Sequence, residues 1–410
     1  MTPALHKRAT LPGDIDLTSP GCFRDAKAHH AAFARLRQEA PVAWHPHAGG
    51  GFWVVSRHAD VLHVLRDTET FDQAAGHLIG GLANATPAAG AEAFAFRNGA
   101  PPFSRKGEGG HARLEAAAVE ALVPGIRARI VERLAAHAGS GALDFVELIA
   151  PLPSEVRATL AGVPGAHQDH LIAWVDTLGD RRTGVISATA DARREAAAEL
   201  IRYAEKLLAR KREQPGEDLI SDWLAAETQA SPVTARHVGV LLFAFIAVGS
   251  ATTRNVAAAG QRLLFESPNI TKQLRAAPDL LPAAIEEMLR LAPPFHYARR
   301  TAQRDAAVGG QRIAKGDAIT LWLGSANRDS AVFEHPSRFA PERTAHTHLS
   351  FAADGLFTLG AALARIELVT LFDELLQRFP EMIPAGPTEH TDSNHENRIV
   401  RLPVYLGAAA

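Results

Sequence analysis

The sequence predicts a large, mainly helical protein with a minor β part. Two observations support this prediction. Apolar residues recur at intervals of three and four along most of the chain, and the segments with alternating or β-branched character are few and short. The helical spacing runs through residues 31–38, 112–122, 126–136, 190–211, 234–265, 280–291 and 360–379. The strand-like segments are residues 51–56, 306–313, 318–323 and 400–406.

One pair of strand-like segments carries a turn signal. The segments around Val308 and Ile319 are joined by Ala-Lys-Gly-Asp at residues 314–317, which predicts a β-hairpin. No repeat or linker divides the chain, so we expect a single domain over residues 1–410. Residues 78–102 are rich in Gly, Ala and Pro and weakly periodic, which predicts a long mobile loop covering a pocket.

The bulk composition is that of an ordinary globular protein. Of 410 residues, 47% are apolar and 21% are charged, and the formal net charge is -2. This charge argues against nucleic acid or an anionic membrane as a partner recognised by bulk charge. The single cysteine, Cys22, rules out an intramolecular disulfide and a cysteine-rich metal site.

The cellular location is predicted from what the sequence lacks. The N-terminal segment has no apolar run of the kind that a signal peptide needs. The most apolar stretch, residues 238–248, is shorter than the ~20 residues that span a bilayer. We therefore expect a cytoplasmic protein without a membrane partner, and we expect residues 238–248 to form a buried helix.

Six motifs in order along the chain resemble one family. The Glu-x-x-Arg motif consists of Glu287 and Arg290, and Arg343 follows in Arg-Phe-Ala-Pro-Glu-Arg. Together with residues 51–65, 110–115, 247–255 and 348–367, these motifs resemble the bacterial soluble cytochromes P-450 over nearly the whole chain. The resemblance implies a cytochrome P-450 fold, with a large helical domain and a small β-rich region. It also implies a structural ion-pair triad of Glu287, Arg290 and Arg343.

The same resemblance exposes a departure at the haem ligand. Thr358 falls where the family has its iron-binding cysteine, and Leu356 falls where a histidine is usual. A cysteine thiol has a pKa of ~8.5 and ionises readily beside a metal, whereas a threonine hydroxyl is far less acidic. The push of a thiolate favours O–O cleavage. The resemblance therefore implies a relative without haem-thiolate oxygen chemistry, and we predict that haem is absent.

Further departures point the same way. Glu115 stands where the family usually has an arginine near a haem propionate, and Ala251 replaces the acidic residue beside Thr252. Asp354 adds a negative charge to the loop before Thr358. Ala352 and Ala353 occupy positions where the family has glycine.

Several residues are candidates for a pocket in this fold. In the family, the segment Pro293–Arg300 borders the substrate pocket. We predict either that His296 and Tyr297 form an acid–base pair for non-redox chemistry or that they pack as ordinary buried residues. The remaining candidates for ligand contact in the pocket are Phe295, Arg299, Arg300, His111, Ser250, Thr252 and Thr253.

Two of these candidate groups have specific alternatives. Arg300 and His111 are candidates to bind an anion together. The hydroxyls of Ser250, Thr252 and Thr253 either meet a ligand or bond back to a helix carbonyl. His346 and His348 have no evident third ligand, so no metal site is predicted.

Three functions remain open from the sequence. The first is an auxiliary protein in bacterial natural-product metabolism, for example one that supports a glycosyltransferase, as some haem-free relatives do. The second is a non-redox enzyme that performs a cyclisation, elimination or rearrangement on a small apolar ligand in the former haem and substrate cavity. The third is a haem protein with a different ligand, such as His111 or His296.

Overall fold

The structure is a computed structural model that describes residues 8–47, 50–72, 116–179, 188–228, 232–344, 347–351 and 360–409. Its contacts divide the chain into two compact units. The first consists of Met1–Thr86, Glu286–Asp354 and Asp392–Asn397, and the second of Pro87–Ile285, Gly355–Thr391 and Arg398–Ala410. The predicted loop at residues 78–102 lies outside the described residues.

The first unit is built on a five-stranded sheet. Its strands are β1 (Val42–His45), β2 (Phe52–Val55), β3 (Phe71–Asp72), β5 (Tyr297–Ala302) and β8 (Ala318–Trp322), in the order β1-β2-β8-β5-β3. The pair β2–β8 is parallel, with Trp53 opposite Ile319, and the other pairs are antiparallel. Every residue of β2 and β8 is buried, as expected for strands covered on both faces. The helices of this unit are a 3₁₀ turn at Pro20–Phe23, α1 (Ala26–Glu39), α2 (His58–Arg66) and α14 (Leu323–Ala326).

The predicted hairpin between residues 306–313 and 318–323 is wrong. Strand β6 (Ala306–Val308) pairs instead with β7 (Gln311–Ile313) across Gly309 and Gly310. Both glycines have positive φ, 52° and 78°, which is the conformation that a two-residue hairpin turn requires. The turn at residues 314–317 does form, with the amide of Asp317 bonded to the carbonyl of Ala314, but it leads from β7 into the five-stranded sheet.

The second unit is mainly helical. Several of its helices begin at side-chain caps: Thr189 caps the longest one, and Thr234 and His237 form a capping box. The helices are α3 (Ala116–Glu120), α4 (Val123–Ala135), α5 (Phe145–Ile149), α6 (Pro151–Leu160), α7 (Gly165–Gly179), α8 (Ala190–Glu213), α9 (Leu219–Ala225), α10 (Ala235–Leu242), α11 (Gly249–Glu266), α12 (Pro268–Ala276), a 3₁₀ turn at Pro278–Leu280, α13 (Leu281–Leu291, which runs into the first unit) and α15 (Ala361–Arg378).

The predicted strand at residues 400–406 is two short strands. Ile399–Arg401 (β11) pairs with β10 (Glu389–His390), whereas Pro403–Tyr405 (β12) pairs with β4 (Leu143–Asp144) and β9 (Ile383–Pro384). The strand partners change at Leu402, so the single alternating pattern at residues 400–406 contributes strands to two small sheets.

The longest helical stretch of the second unit is interrupted by a π turn. Helix α10 passes into a π-helical segment at Phe243–Val248 and continues as α11. The predicted helix at residues 234–265 therefore forms, with a wider turn in its middle. Such π turns are frequent at functional sites.

This stretch is also the candidate membrane span within the described part of the chain. It covers Ala235–Glu266, 32 residues, and its most apolar window has a mean hydropathy of 1.5. It is thus longer than the apolar run at residues 238–248 on which the prediction rested. The share of the window buried inside the structure is 53%, and the core helix of a globular protein passes the same test of length and composition.

Candidate functional site

The predicted ion-pair triad is assembled in the first unit. Glu287 accepts hydrogen bonds from Arg290 Nε at 2.6 Å and from Arg343 Nε at 3.0 Å. Arg290 also donates to the carbonyls of Asn327 and Arg338, at 2.9 and 3.0 Å. Both Glu287 and Arg290 are fully buried, so the pair fixes the segment that follows β8 rather than facing a ligand.

His296 and Tyr297 lie in an aromatic cluster of the first unit. The ring of His296 lies 4.5 Å from that of Phe23, and Tyr297 packs 5.0 Å from Trp322. Phe23 in turn stacks on Trp322 at 5.6 Å, which places all four rings in one group. Both candidates are buried, His296 at 8% exposure and Tyr297 at 1%. These surroundings favour the packing role over an acid–base role.

Phe295 lies at the margin of the same cluster. Its ring is 4.9 Å from that of His395, and its backbone forms a bridge with Glu396. The amide of His296 donates to the carbonyl of His395 at 2.8 Å. Residues 392–397 thus hold this segment in place through backbone bonds and ring contacts.

Arg299 and Arg300 continue along β5. Both are buried, and Arg300 Nη1 donates to the carbonyl of Arg299 at 2.8 Å. Burial lowers the pKa of the Arg299 guanidinium, with an opposing contribution from Tyr297. His111, the predicted partner of Arg300 in anion binding, lies outside the described residues, so the anion site that they would form stays a prediction.

In the second unit, two of the three predicted hydroxyls of α11, those of Ser250 and Thr253, behave differently from one another. All three residues are buried. Thr253 Oγ1 donates to Glu367 Oε2 at 2.7 Å instead of to a helix carbonyl. Ser250 Oγ forms no hydrogen bond within the described part of the chain. The prediction of back-bonding is therefore wrong for Ser250 and Thr253. The π turn that ends at Val248 widens the preceding turn, so the carbonyls before Ser250 do not follow regular α-helical spacing.

Thr253 belongs to a buried charged network that the sequence did not reveal. Arg157 Nη1 lies 2.8 and 2.9 Å from the two carboxylate oxygens of Glu367, and Arg157 Nη2 donates to Thr253 at 3.3 Å. Burial raises the pKa of the Glu367 carboxyl, while Arg157 and Thr253 act to lower it. The network joins α6, α11 and α15.

A small cavity of about 20 Å³ adjoins this network. A single water needs about 10–15 Å³, so the cavity has room for a water molecule and not for an organic substrate. Glu367 lies at the end of the 348–367 motif, and its place beside the buried apolar residues Leu363, Ala364 and Leu371 of α15 is a signal that sequence reasoning can use. Its partner Arg157 is 210 positions away and has no such signal.

The remaining predicted positions are outside the described residues or form no metal site. Thr358 and Leu356, like residues 352–354 and Glu115, lie outside them. His348 Nε2 meets Glu286 Oε2 at 3.1 Å, while His346 lies outside. No group of three or more metal-ligating side chains occurs among the residues that the structure describes.

Comparison with known proteins places the chain in a family. Its residues 184–405 match the family model for cytochrome P450. It is 34% identical to putative cytochrome P450 126 of Mycobacterium tuberculosis, covering 96% of this chain and 97% of the relative. It is 31% identical to linalool 8-monooxygenase of Pseudomonas putida, covering 95% and 98%. The chain belongs to the cytochrome P450 family.

Comparison with solved structures supports the same family fold. The crystal structure of CYP108D1 from Novosphingobium aromaticivorans matches with a TM-score of 0.84 and 26% identity, over 98% of this chain and 100% of that one. CYP268A2 of Mycobacterium marinum, solved with pseudoionone, matches with a TM-score of 0.80 and 27% identity, over 98% and 99%. The predicted fold class, mainly helical with a small β region, is confirmed.

Proposed function

We propose that this chain is a haem-free, non-monooxygenase member of the cytochrome P450 family that acts as an auxiliary protein. The proposed setting is bacterial natural-product metabolism in the cytoplasm, with a biosynthetic enzyme such as a glycosyltransferase as the partner. One observation carries the proposal: the chain has a single cysteine, and it does not lie in the segment before α15.

The residues present do not fit a haem-thiolate centre. Cys22 lies in the 3₁₀ turn at Pro20–Phe23, and burial raises the pKa of its thiol, which disfavours the thiolate that a metal binds. Residues 351–360 contain Thr358 and no cysteine or histidine. Oxygen activation of the kind implied by the monooxygenase names of relatives therefore lacks its ligand in this chain.

The surroundings of the catalytic candidates favour an auxiliary role over a non-redox enzyme. His296 and Tyr297 are packed among aromatic rings, and the cavity beside Glu367 is of water size. A substrate site needs a concave pocket with convergent polar groups. Among the described residues, aromatic rings surround His296 and Tyr297, and the cavity beside Glu367 is too small for an organic substrate. His296 as an alternative iron ligand is disfavoured by the same packing.

The haem-free proposal is tested by titrating purified protein with haem and recording the absorption spectrum. We expect no stoichiometric Soret band, and no thiolate-type band after reduction and treatment with carbon monoxide. CYP108D1, carried through the same protocol, is the positive control. A stoichiometric Soret band in this chain would overturn the haem-free claim.

A variant separates the lost ligand from the other departures. We expect Thr358→Cys alone to show no monooxygenation, because Leu356, Glu115 and Ala251 remain. Robust turnover by this variant would show that the ligand was the only loss. The auxiliary role is tested separately, by measuring the activity of a co-expressed glycosyltransferase from the same gene neighbourhood with and without this chain. Unchanged activity would count against that partner.

A further inference from the structure

The first unit contains a large groove that takes no part in the proposed function. Its volume is about 850 Å³, which is within the range of about 300–1,000 Å³ of small-molecule sites. One wall is α1, and the other is the segment after α14. The side chains and backbone that line it are those of Lys27, His30, Ala31, Ala34, Arg37, Gln38, Arg57, Arg328, Asp329, Ser330, Ala331, Pro336 and Ser337.

The charges in this groove are unbalanced. Four basic residues, Lys27, Arg37, Arg57 and Arg328, and one acidic residue, Asp329, line the groove, so the formal charge of the lining is +3. Asp60 lies outside the lining and interacts with Arg57. The two oxygens of Asp329 already accept the amides of His58 and Ala331, at 3.0 Å each. The Asp329 carboxylate therefore fixes the backbone of the groove wall by accepting hydrogen bonds from it.

Three of the basic groups donate hydrogen bonds to uncharged oxygens. Arg37 Nη1 donates to Ser325 Oγ at 2.9 Å, and Arg57 Nε donates to the carbonyl of Arg37 at 2.7 Å. Arg328 Nη2 donates to the carbonyl of Leu291 at 2.7 Å. Within the described part of the chain, neither Arg37, Arg57 nor Lys27 forms an ion pair with a carboxylate.

The imidazole of His30, which also lines the groove, interacts with these positive charges. Burial, followed by the positive charge of Arg328, lowers the pKa of His30 well below its usual range, and Arg37 contributes in the same direction. Burial likewise lowers the pKa of Arg37, with Asp329 opposing. An anion in the groove would stabilise the charged forms of both groups and so raise both pKa values.

We propose that this groove binds the phosphate groups of a small phosphorylated metabolite of nucleotide size. Guanidinium groups match phosphate oxygens in geometry, and an excess of three charges suits a group with more than one negative charge better than a single carboxylate. The apolar part of the lining, Ala31, Ala34, Ala331 and Pro336, provides contact for an organic body. An extended polyanion is disfavoured because it would reach beyond the groove and be repelled by the net charge of -2 on the whole protein.

The test is calorimetric titration of the full-length protein at low ionic strength with ADP, inorganic pyrophosphate and adenosine. We expect ADP and pyrophosphate to bind, adenosine to bind at least about tenfold more weakly than ADP, and added salt to weaken ADP binding. Tighter binding of ADP than of pyrophosphate would assign a contribution to the apolar lining. Equal binding would assign recognition to the phosphates alone. Failure of both phosphate probes to bind would overturn the proposal.

Paired variants locate the site. Lys27→Gln with Arg57→Gln removes two exposed charges at the groove, and we expect ADP binding to weaken by at least about tenfold, since a hydrogen bond to a charged group is worth about that much. Lys206→Gln with Lys272→Gln removes the same charge elsewhere and should leave binding unchanged. Equal loss in both double variants would show a general charge effect and overturn the proposal.

A second pair leaves every existing contact intact. Ala31 is exposed on α1 and lines the groove, so Ala31→Glu adds a carboxylate there, while Ala31→Gln adds a neutral side chain of the same size. We expect the Glu variant to weaken ADP binding by at least about tenfold relative to the Gln variant. Identical affinities would place the phosphates elsewhere. Since this site involves no haem and no residue of the segment 352–359, its failure leaves the haem-free proposal untouched.

Discussion

Glu367 shows how one residue can serve three helices. Its carboxylate is held by Arg157 and Thr253, and both charged side chains are at most 5% exposed. Replacing the charge by the isosteric amide in Glu367→Gln leaves Arg157 buried without its counter-charge. We expect a loss of about 3–5 kcal/mol in the free energy of unfolding, measured by urea denaturation. Glu205→Gln on the exposed side of α8 is the control.

A double replacement tests whether the charge itself causes that loss. Arg157→Met combined with Glu367→Leu removes both charges and should recover most of the stability, because buried ion pairs seldom exceed apolar residues of similar size in stability. If Glu367→Gln alone changed the unfolding free energy by less than about 1 kcal/mol, the network would not be the structural tie that its geometry indicates.

We expect His29 to make stability depend on pH. Burial lowers its pKa to about 4, with Arg328 acting in the same direction and Asp25 opposing. In the unfolded chain His29 binds a proton near pH 6.5, whereas in the folded chain it binds one only near pH 4. The free energy of unfolding therefore falls as the pH drops from about 6.5 to about 4. We expect His29→Phe to reduce the loss between pH 7 and pH 5 by up to about 2 kcal/mol in urea titrations.

A histidine elsewhere provides the comparison for His29. His170 is exposed on α7, and His170→Gln is the control replacement of a histidine outside the first unit. His29 Nδ1 has no hydrogen-bond partner in the described part of the chain, so the phenyl ring also removes a buried unsatisfied atom. A profile unchanged by His29→Phe would mean that other groups govern the acid side of the stability curve.

At the scale of elements, the β6–β7 hairpin depends on two glycines with different surroundings. A Cβ at Gly309 would lie 2.6 Å from Val42 Cγ2, whereas one at Gly310 would meet nothing within 4 Å. Both positions have positive φ, so an alanine costs about 1–2 kcal/mol at either through backbone strain. We expect Gly309→Ala to lower the thermal midpoint more than Gly310→Ala. Equal shifts would mean that Val42 moves aside freely.

The hairpin also shows where sequence patterns stop being sufficient. Some segments that form strands, such as β2 and β8, were predicted because their residues alternate or are β-branched, whereas β1 and β5 of the same sheet were not predicted. Which segments pair was not predictable, since Gly309–Gly310 and the turn at 314–317 give competing signals. Long-range contacts decide between them: β8 pairs with β2 and β5, which are distant in sequence.

The helical elements were more accessible to prediction. The long helix at 235–266 and α15 follow the apolar period closely. The triad of Glu287, Arg290 and Arg343 was implied by the family resemblance, and its contacts are present. Arg157 was not predicted, because its partner is supplied by a helix 210 positions away.

At the scale of the whole molecule, the proposed absence of haem makes a prediction about thermal stability. A ligand that binds only the folded state stabilises it, by ~2.7 kcal/mol at a hundredfold excess over its dissociation constant. We expect added haem to leave the melting temperature of this chain unchanged in thermal unfolding. CYP108D1 prepared without haem is the comparison, and its melting temperature should rise. A clear rise in this chain would contradict the haem-free proposal independently of any spectrum.

The lone cysteine has a practical meaning for experiments on this protein. Cys22 is half-buried beside the aromatic cluster of the first unit, and burial and Asp16 both raise its thiol pKa. At neutral pH the folded chain should therefore react slowly with maleimides, and opening of the N-terminal turn should accelerate the reaction. The rate at which Cys22 is labelled therefore reports local unfolding of this turn. Because the sequence has one cysteine, a dye can be attached there without replacing any other cysteine.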